Sequence, residues 1–249
     1  ENNMENNIEY QHENPFTENL DTRLSPLQKP GYSEKEYNLV SLLAKNFVIM
    51  SYSMWDSAVK DQIRSFLTQQ KLSDYLAFSI LEERVAEESP DWACLLAFCY
   101  HYGIGTEFDY QKAFAWYMNS GDRGDAFGLT QIGWCYSMAI GVSRDDDESL
   151  KYYHMGAIRG HPQSALKVGE SKSDFRKRFY WLEKSAIGGF PDSIIRVIRH
   201  YENGWGVSRD KHKVLYWFKQ YRNIGNHDVS IFLNAIMLRF PFSSIINRF

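Results

Sequence analysis

The 249-residue sequence is poor in cysteine, holding only Cys94, Cys99 and Cys135. An odd set this small excludes a disulfide framework and points to buried thiols that pack as small apolar side chains. Long apolar runs are missing too. No stretch of about 18 residues escapes charges or strong polar breaks, so no membrane span is expected. Residues 1–21 contain no base at all, against six acids and six asparagines. That stretch has too few apolar side chains to offset the entropy of ordering it, and residues 1–35 read as an acidic, Asn-rich tail or arm. The chain opens on Glu1 rather than Met. A removed signal peptide and a trimmed leader both give such a start. The expected protein is soluble, with its compartment left open between cytoplasm and periplasm or exterior.

Aromatics are plentiful: 7 Trp, 16 Tyr and 16 Phe. The formal net charge of −3 conceals a division along the chain. Residues 22–166 hold 13 bases against 18 acids, whereas residues 167–249 hold 15 against 7. The basic half could attract an acidic partner or the protein's own tail. A pI near 6.2 lacks the strong basic footprint of a nucleic-acid binder, so no nucleic-acid partner is expected.

Internal repetition organises the chain. One segment reads Tyr100-x-x-Gly103-x-Gly105-x-x-x-Asp109-x-x-Lys112-Ala113-x-x-Trp116-Tyr117. Shifted by 36 residues it becomes Tyr136-x-x-Ala139-x-Gly141-x-x-x-Asp145-x-x-Glu148-Ser149-x-x-Tyr152-Tyr153. A later copy reads Tyr201-x-x-Gly204-x-Gly206-x-x-x-Asp210-x-x-Lys213-Val214-x-x-Trp217-Phe218. Between them a unit of 29 residues keeps Asp174 and Trp181 but lacks the Tyr-x-x-Gly-x-Gly turn. Each unit reads as two antiparallel helices. Pro90, Pro162 and Pro191 open first helices, where a missing N–H costs nothing. The glycines permit a tight turn, and Asp109, Asp145 and Asp210 stand where a carboxylate caps the second helix. The small residue lets helices approach, and the aromatics fill the space between layers. The units fall at 90–124, 125–160, 161–189 (shortened) and 190–225. Residues 36–89 read as N-terminal helices forming a degenerate repeat or cap, with Leu39, Leu42, Leu43, Phe47 and Met50 on one buried face. Residues 226–249 read as a C-terminal capping helix.

This pattern resembles the Sel1-like repeat family, relatives of tetratricopeptide repeats. The resemblance implies an all-α, right-handed solenoid of stacked antiparallel helix pairs. Proteins with such repeats include scaffolds and adaptors, bacterial host-interaction factors, and immunity proteins that block secreted toxins. A bacterial source is the expectation that goes with it.

Chemistry is sparse by comparison. Gly103-Ile104-Gly105 and Gly204-Trp205-Gly206 have neither the third glycine nor the lysine of a phosphate loop. Asp145-Asp146-Asp147-Glu148 lacks the alternating ligands of a calcium loop and suits a helix N-terminus. The histidines show no paired metal spacing, and no Ser-His-Asp or Cys-His arrangement stands in the local sequence. The expected protein is therefore not an enzyme, and no catalytic, cofactor or metal residue is assigned.

Binding is the natural use of such a scaffold, in a groove lined by first-helix positions outside the packing motif. One phase runs Leu95, Gln131, Lys167, Arg196, and another runs Phe98, Trp134, Glu170, Arg199. With Trp92, they predict a groove that is apolar near residues 92–134 and basic near 167–199. The expected occupant is a peptide, loop or helix of another protein. An adaptor binding a signalling protein is the first reading. A secreted or periplasmic immunity protein blocking a toxin or effector, or a host-interaction protein, is the alternative.

Overall fold

The computed structural model describes residues 31–53 and 56–224, without the side chains of residues 48, 52, 53 and 56. The expected N-terminal tail up to residue 30 and the expected capping helix at 226–249 lie outside the described residues. The chain divides into a unit ending at Gly31 and a unit beginning at Tyr32, and the second is described below.

The described residues form eleven helices. Three precede the repeats: α1 (Glu34–Ser53), α2 (Asp56–Gln70) and α3 (Asp74–Arg84). Four pairs follow: α4 (Pro90–Tyr102) with α5 (Tyr110–Asp122), α6 (Ala126–Met138) with α7 (Asp146–Ile158), α8 (Pro162–Ser171) with α9 (Phe175–Ile187), and α10 (Pro191–Asn203) with α11 (Lys211–Asn223). We call the first helix of each pair A and the second B. Every helix from α4 to α11 packs against its neighbours in chain order, which is the contact pattern of an α-solenoid.

The repeat chemistry accounts for these boundaries. Prolines occupy the first turn of α4, α8 and α10. Each B helix starts at an aspartate cap: Asp109, Asp145, Asp174 and Asp210 accept from backbone N–H groups two or three residues on. The A helices α4, α6 and α10 end in left-handed backbone at Gly103, Ala139 and Gly204. Ala139 is a β-carbon-bearing residue in a place where the other full repeats have glycine.

The second turn glycine has a different task. A Cβ on Gly105, Gly141 or Gly206 would lie 2.1, 2.0 or 2.3 Å from the carbonyl oxygen of Asp74, Tyr110 or Phe175. Each full repeat thus lays its turn on the first residue of the preceding B-type helix, and α3 serves as that helix for the first repeat. The shortened repeat has no such turn. Its α8 has 10 residues and leaves the helix at Lys172 in extended backbone. The Arg178 guanidinium donates to the Lys172 carbonyl at 2.9 Å, tying the short connection to α9.

Motif aromatics fill the layers between helices. Tyr100, Ala113, Tyr117, Val214 and Trp217 are buried, with Trp116, Tyr136 and Tyr201 partly so. The Tyr100 hydroxyl donates to Glu82 at 2.7 Å, and Tyr201 to Glu183 at 3.3 Å, the same offset of 18 residues to the preceding B-type helix. Tyr136 has Met118 at that offset and stacks on Tyr152 instead, with centroids 5.7 Å apart. Cys94, Cys99 and Cys135 are buried and unbridged.

Candidate partner-binding surface

The A helices present one continuous face, and α1 lies on it. Helix α1 packs against α4, α6 and α8, all of them A helices. Val40, Leu43, Ala44 and Phe47 are each 1% exposed or less. Their i, i+3, i+4, i+7 spacing makes one helical stripe. Phe47 sets its ring edge-on to both Phe98 (5.2 Å) and Phe127 (5.4 Å). Tyr37 lies 5.7 Å from Trp92 at one end of the stripe. At the other end, the fully buried His161, which precedes the first residue of α8, faces the backbone of Ser51.

This arrangement corrects four of the residues expected to bind a partner. Trp92, Leu95, Phe98 and Gln131 are 2% exposed or less. Trp92 and Phe98 pack against Tyr37 and Phe47 of α1, Leu95 belongs to the same core cluster, and Gln131 is buried, because an apolar A face with a helix of the same chain across it belongs to the core. The stripe on α1 also differs from the expected one: Leu43 and Phe47 are buried, but Leu42 faces solvent, and Val40 and Ala44 take the places between. Trp134 is half-buried. It stacks on His101 at 5.0 Å and packs on the cluster of Tyr153, Ala157, Ala165 and Val168.

The remaining residues lie on α8 and α10. Lys167 is partly exposed on α8, and Arg196 and Arg199 are exposed on α10. Glu170, at the Trp134 phase, accepts from Arg196 at 2.6 Å and Lys167 at 3.3 Å. The A face therefore has two parts: an apolar stretch filled by α1, and a charged stretch on α8 and α10 bearing three bases and one bridging carboxylate. Such exposed pairs contribute only about 0–1 kcal/mol each and exchange readily for a partner's carboxylates.

The buried thiols and histidines elsewhere are held in their neutral forms. Burial pushes the Cys94 and Cys99 thiols up, away from thiolate. Burial also holds His101 down to about 4 and His161 to about 3. A cleft of about 260 Å³ between α1 and α2 is lined by Leu43, Asn46, Ile49, Met50, Gln62, Ser65, Phe66 and Gln69. None of those side chains titrates, so the cleft offers no acid–base pair. Among the described residues no group of three or more His, Cys, Asp or Glu is placed to hold a metal ion. No described helix is long and apolar enough to cross a membrane.

Comparison with known proteins agrees with this geometry. The Sel1 repeat family model matches residues 93–125, 126–161, 168–190 and 199–220. A Sel1 repeat protein from Oxalobacter formigenes superimposes with a TM-score of 0.61 at 24% identity, over 66% of this chain and 50% of that one. A protective antigen present in uropathogenic Escherichia coli strains, displaying an SLR fold, gives a TM-score of 0.59 at 18% identity, over 84% and 52% of the two chains. The chain thus spans about half the length of these two solved structures. An immunity protein from Pseudomonas aeruginosa is more distant, with a TM-score of 0.39 at 13% identity over 79% and 84%.

Proposed function

We propose that this chain, which carries four Sel1 repeats, is a non-catalytic scaffold that binds a partner protein on the charged end of its A face. The observation that carries the reading is the position of α1. The A face already receives one amphipathic helix through a stripe of apolar anchors, which is the helix-in-groove mode of peptide recognition. Beside that helix, Lys167 of α8 and Arg196 and Arg199 of α10 are partly exposed or exposed among the described residues. Trp134 stands between the two parts. A partner segment laid beside α1 on this face would meet the half-buried Trp134 and a run of guanidinium and ammonium groups.

The reading is tested by affinity capture from the source organism with the wild-type chain and with Arg196→Glu/Arg199→Glu, followed by mass spectrometry. A partner should be lost with the variant while circular dichroism shows unchanged helicity. Identical capture by both would remove the site. The identity of the captured protein separates an adaptor from the finer alternative: a co-encoded toxin or effector marks an immunity protein, and a host protein marks a host-interaction factor.

A further inference from the structure

The outer face of the last two B helices differs from that of the earlier ones. The first turn of α7 carries Asp146, Asp147 and Glu148, which suit the positive end of a helix dipole. At the same phase α9 carries Phe175, Arg176 and Lys177, and α11 carries Lys211, His212 and Lys213. Cations at that end oppose the dipole, so helix stability does not account for them.

Three residues further on, Tyr180 and Tyr216 share a phase that holds Ala115 in α5 and Lys151 in α7. Both tyrosines are about half exposed, at 51% and 52%. Each ring is set edge-on to the tryptophan beside it, Tyr180 to Trp181 at 5.2 Å and Tyr216 to Trp217 at 5.3 Å, both at 79°. Lys184 lies 4.7 Å from the Tyr180 ring centre, and Lys213 lies 6.0 Å from that of Tyr216. The same device is thus built twice: an outward tyrosine oriented by an inner tryptophan, with an ammonium over the phenol ring.

The carboxylates of these helices are occupied. Asp174 and Asp210 cap α9 and α11, and Glu183 accepts from Tyr201. Among the described residues, Arg176, Lys177, Lys184 and Lys213 form no ion pair. Apart from the Asp174 carboxylate, whose pKa Lys177 and Arg176 lower, the described part of this face carries an excess of positive charge around two oriented aromatic rings. Tyrosine and arginine are enriched where protein interfaces concentrate their binding energy.

We propose that the outer face of α9 and α11 docks an acidic segment of a partner protein, with its carboxylates against Arg176, Lys177, Lys184 and Lys213 and an apolar side chain over Tyr180 or Tyr216. Charge complementarity selects this occupant. A 13-residue helix is about 20 Å long, the span of roughly six extended residues, so a short segment stays within the basic pair. At physiological salt, charges are screened beyond about 8 Å, and such a segment feels only the local patch. A nucleic acid or an anionic membrane reaches further and also meets the half of the chain in which acids outnumber bases 18 to 13. The surface lies on B helices and is independent of the A-face site, although it rests on the same reading of the chain as an interaction protein.

The test is fluorescence anisotropy with a labelled acidic peptide of about ten residues, rich in Glu, Asp, Leu and Trp, at roughly physiological salt. A copy with Gln and Asn in place of the acids, a labelled single-stranded DNA and phosphatidylserine vesicles are the other probes. The acidic peptide should bind saturably. Lys177→Glu/Lys213→Glu should weaken it by about tenfold or more, and Tyr180→Ala/Tyr216→Ala by several-fold. Lys35→Glu/Lys45→Glu, with the same change in net charge, and Arg196→Glu/Arg199→Glu should leave it within about twofold. Glutamates in the first turns of α9 and α11 suit the dipole, so a thermal midpoint kept or raised in Lys177→Glu/Lys213→Glu shows that lost binding is not lost folding. The proposal is overturned by no saturable binding, by equal weakening in the charge-matched control, or by DNA or vesicles binding as tightly as the peptide. If the Arg196/Arg199 variant alone abolishes peptide binding, the A-face site survives and this one falls.

Discussion

Truncating Phe47 to alanine tests whether α1 is an integral part of the A face. The ring is 1% exposed and meets Phe98 and Phe127 at 5.2 and 5.4 Å. Buried Phe→Ala changes cost about 3–5 kcal/mol, of which two edge-on ring pairs contribute about 0.5–1.5 kcal/mol each. In a repeat array stability is a sum of local and nearest-neighbour contributions, so the loss should be felt where the ring sits rather than throughout the chain. A cost of about 3 kcal/mol is roughly a hundredfold in a local opening equilibrium. Amide hydrogen exchange on Phe47→Ala should therefore accelerate by about a hundredfold in α1 and in the covered faces of α4 and α6. Exchange in α10 and α11 should stay near wild type. Acceleration in α1 below about tenfold would refute the placement of Phe47 as an anchor. Equal acceleration in α1 and α11 would refute the local reading.

Three further outcomes follow from local geometry. Gly141→Ala places a Cβ 2.0 Å from the Tyr110 carbonyl at φ +69°, so a loss of about 3 kcal/mol or more is expected in denaturant titrations. A loss below about 1 kcal/mol would mean that the turn does not lie tightly on α5. Ala139→Gly relieves a left-handed alanine at φ 57°, and its thermal midpoint should rise by the equivalent of about 1 kcal/mol. An unchanged or lower midpoint contradicts that strain. His161 and His101 stay neutral in the fold down to about 3 and 4, whereas unfolded they titrate near 6.5. Above about pH 6.5 both states are neutral and the two histidines add no pH dependence. Below it the unfolded chain takes up protons that the fold refuses, so stability falls by about 2 kcal/mol per histidine by pH 5. Denaturation curves of His101→Gln/His161→Gln between about pH 5 and 8 should show a flatter profile than wild type, and an identical profile would contradict the assignment.

Much of the repeat was legible because its signals are local and recur at one spacing. The aspartate caps, the helix-opening prolines and the turn glycines act within a few residues of themselves, so a 36-residue shift displays them directly. The deletion in the shortened unit was equally plain, and its consequence is the direct passage from α8 into α9 through Lys172. The tyrosine pair Tyr180 and Tyr216 also shares a phase, but it lies outside the motif. Without solvent exposure it could not be told from packing residues.

The contact face was the part that misled. Trp92, Leu95 and Phe98 have the same apolar periodicity whether their helix faces an open groove or another helix of the chain. Periodicity reports that a face is apolar and is silent about what covers it. The charged positions Lys167, Arg196 and Arg199 were placed at the surface with better warrant, since burying an unpaired cation costs several kcal/mol and paired ones stay near water.

Helix pairing and repeat boundaries were set by interactions between residues about one period apart, and these are written in the order of the chain. The position of α1 depends on Phe47 reaching Phe98 and Phe127, and Ser51 reaching His161, across 51 to 110 residues. No spacing rule connects those pairs. They are selected only when the assembled A helices offer a surface of matching shape and polarity, because close packing rather than chain proximity decides which apolar faces meet. That meeting closes one stretch of the A face, while Arg196 and Arg199 on α10 stay exposed among the described residues.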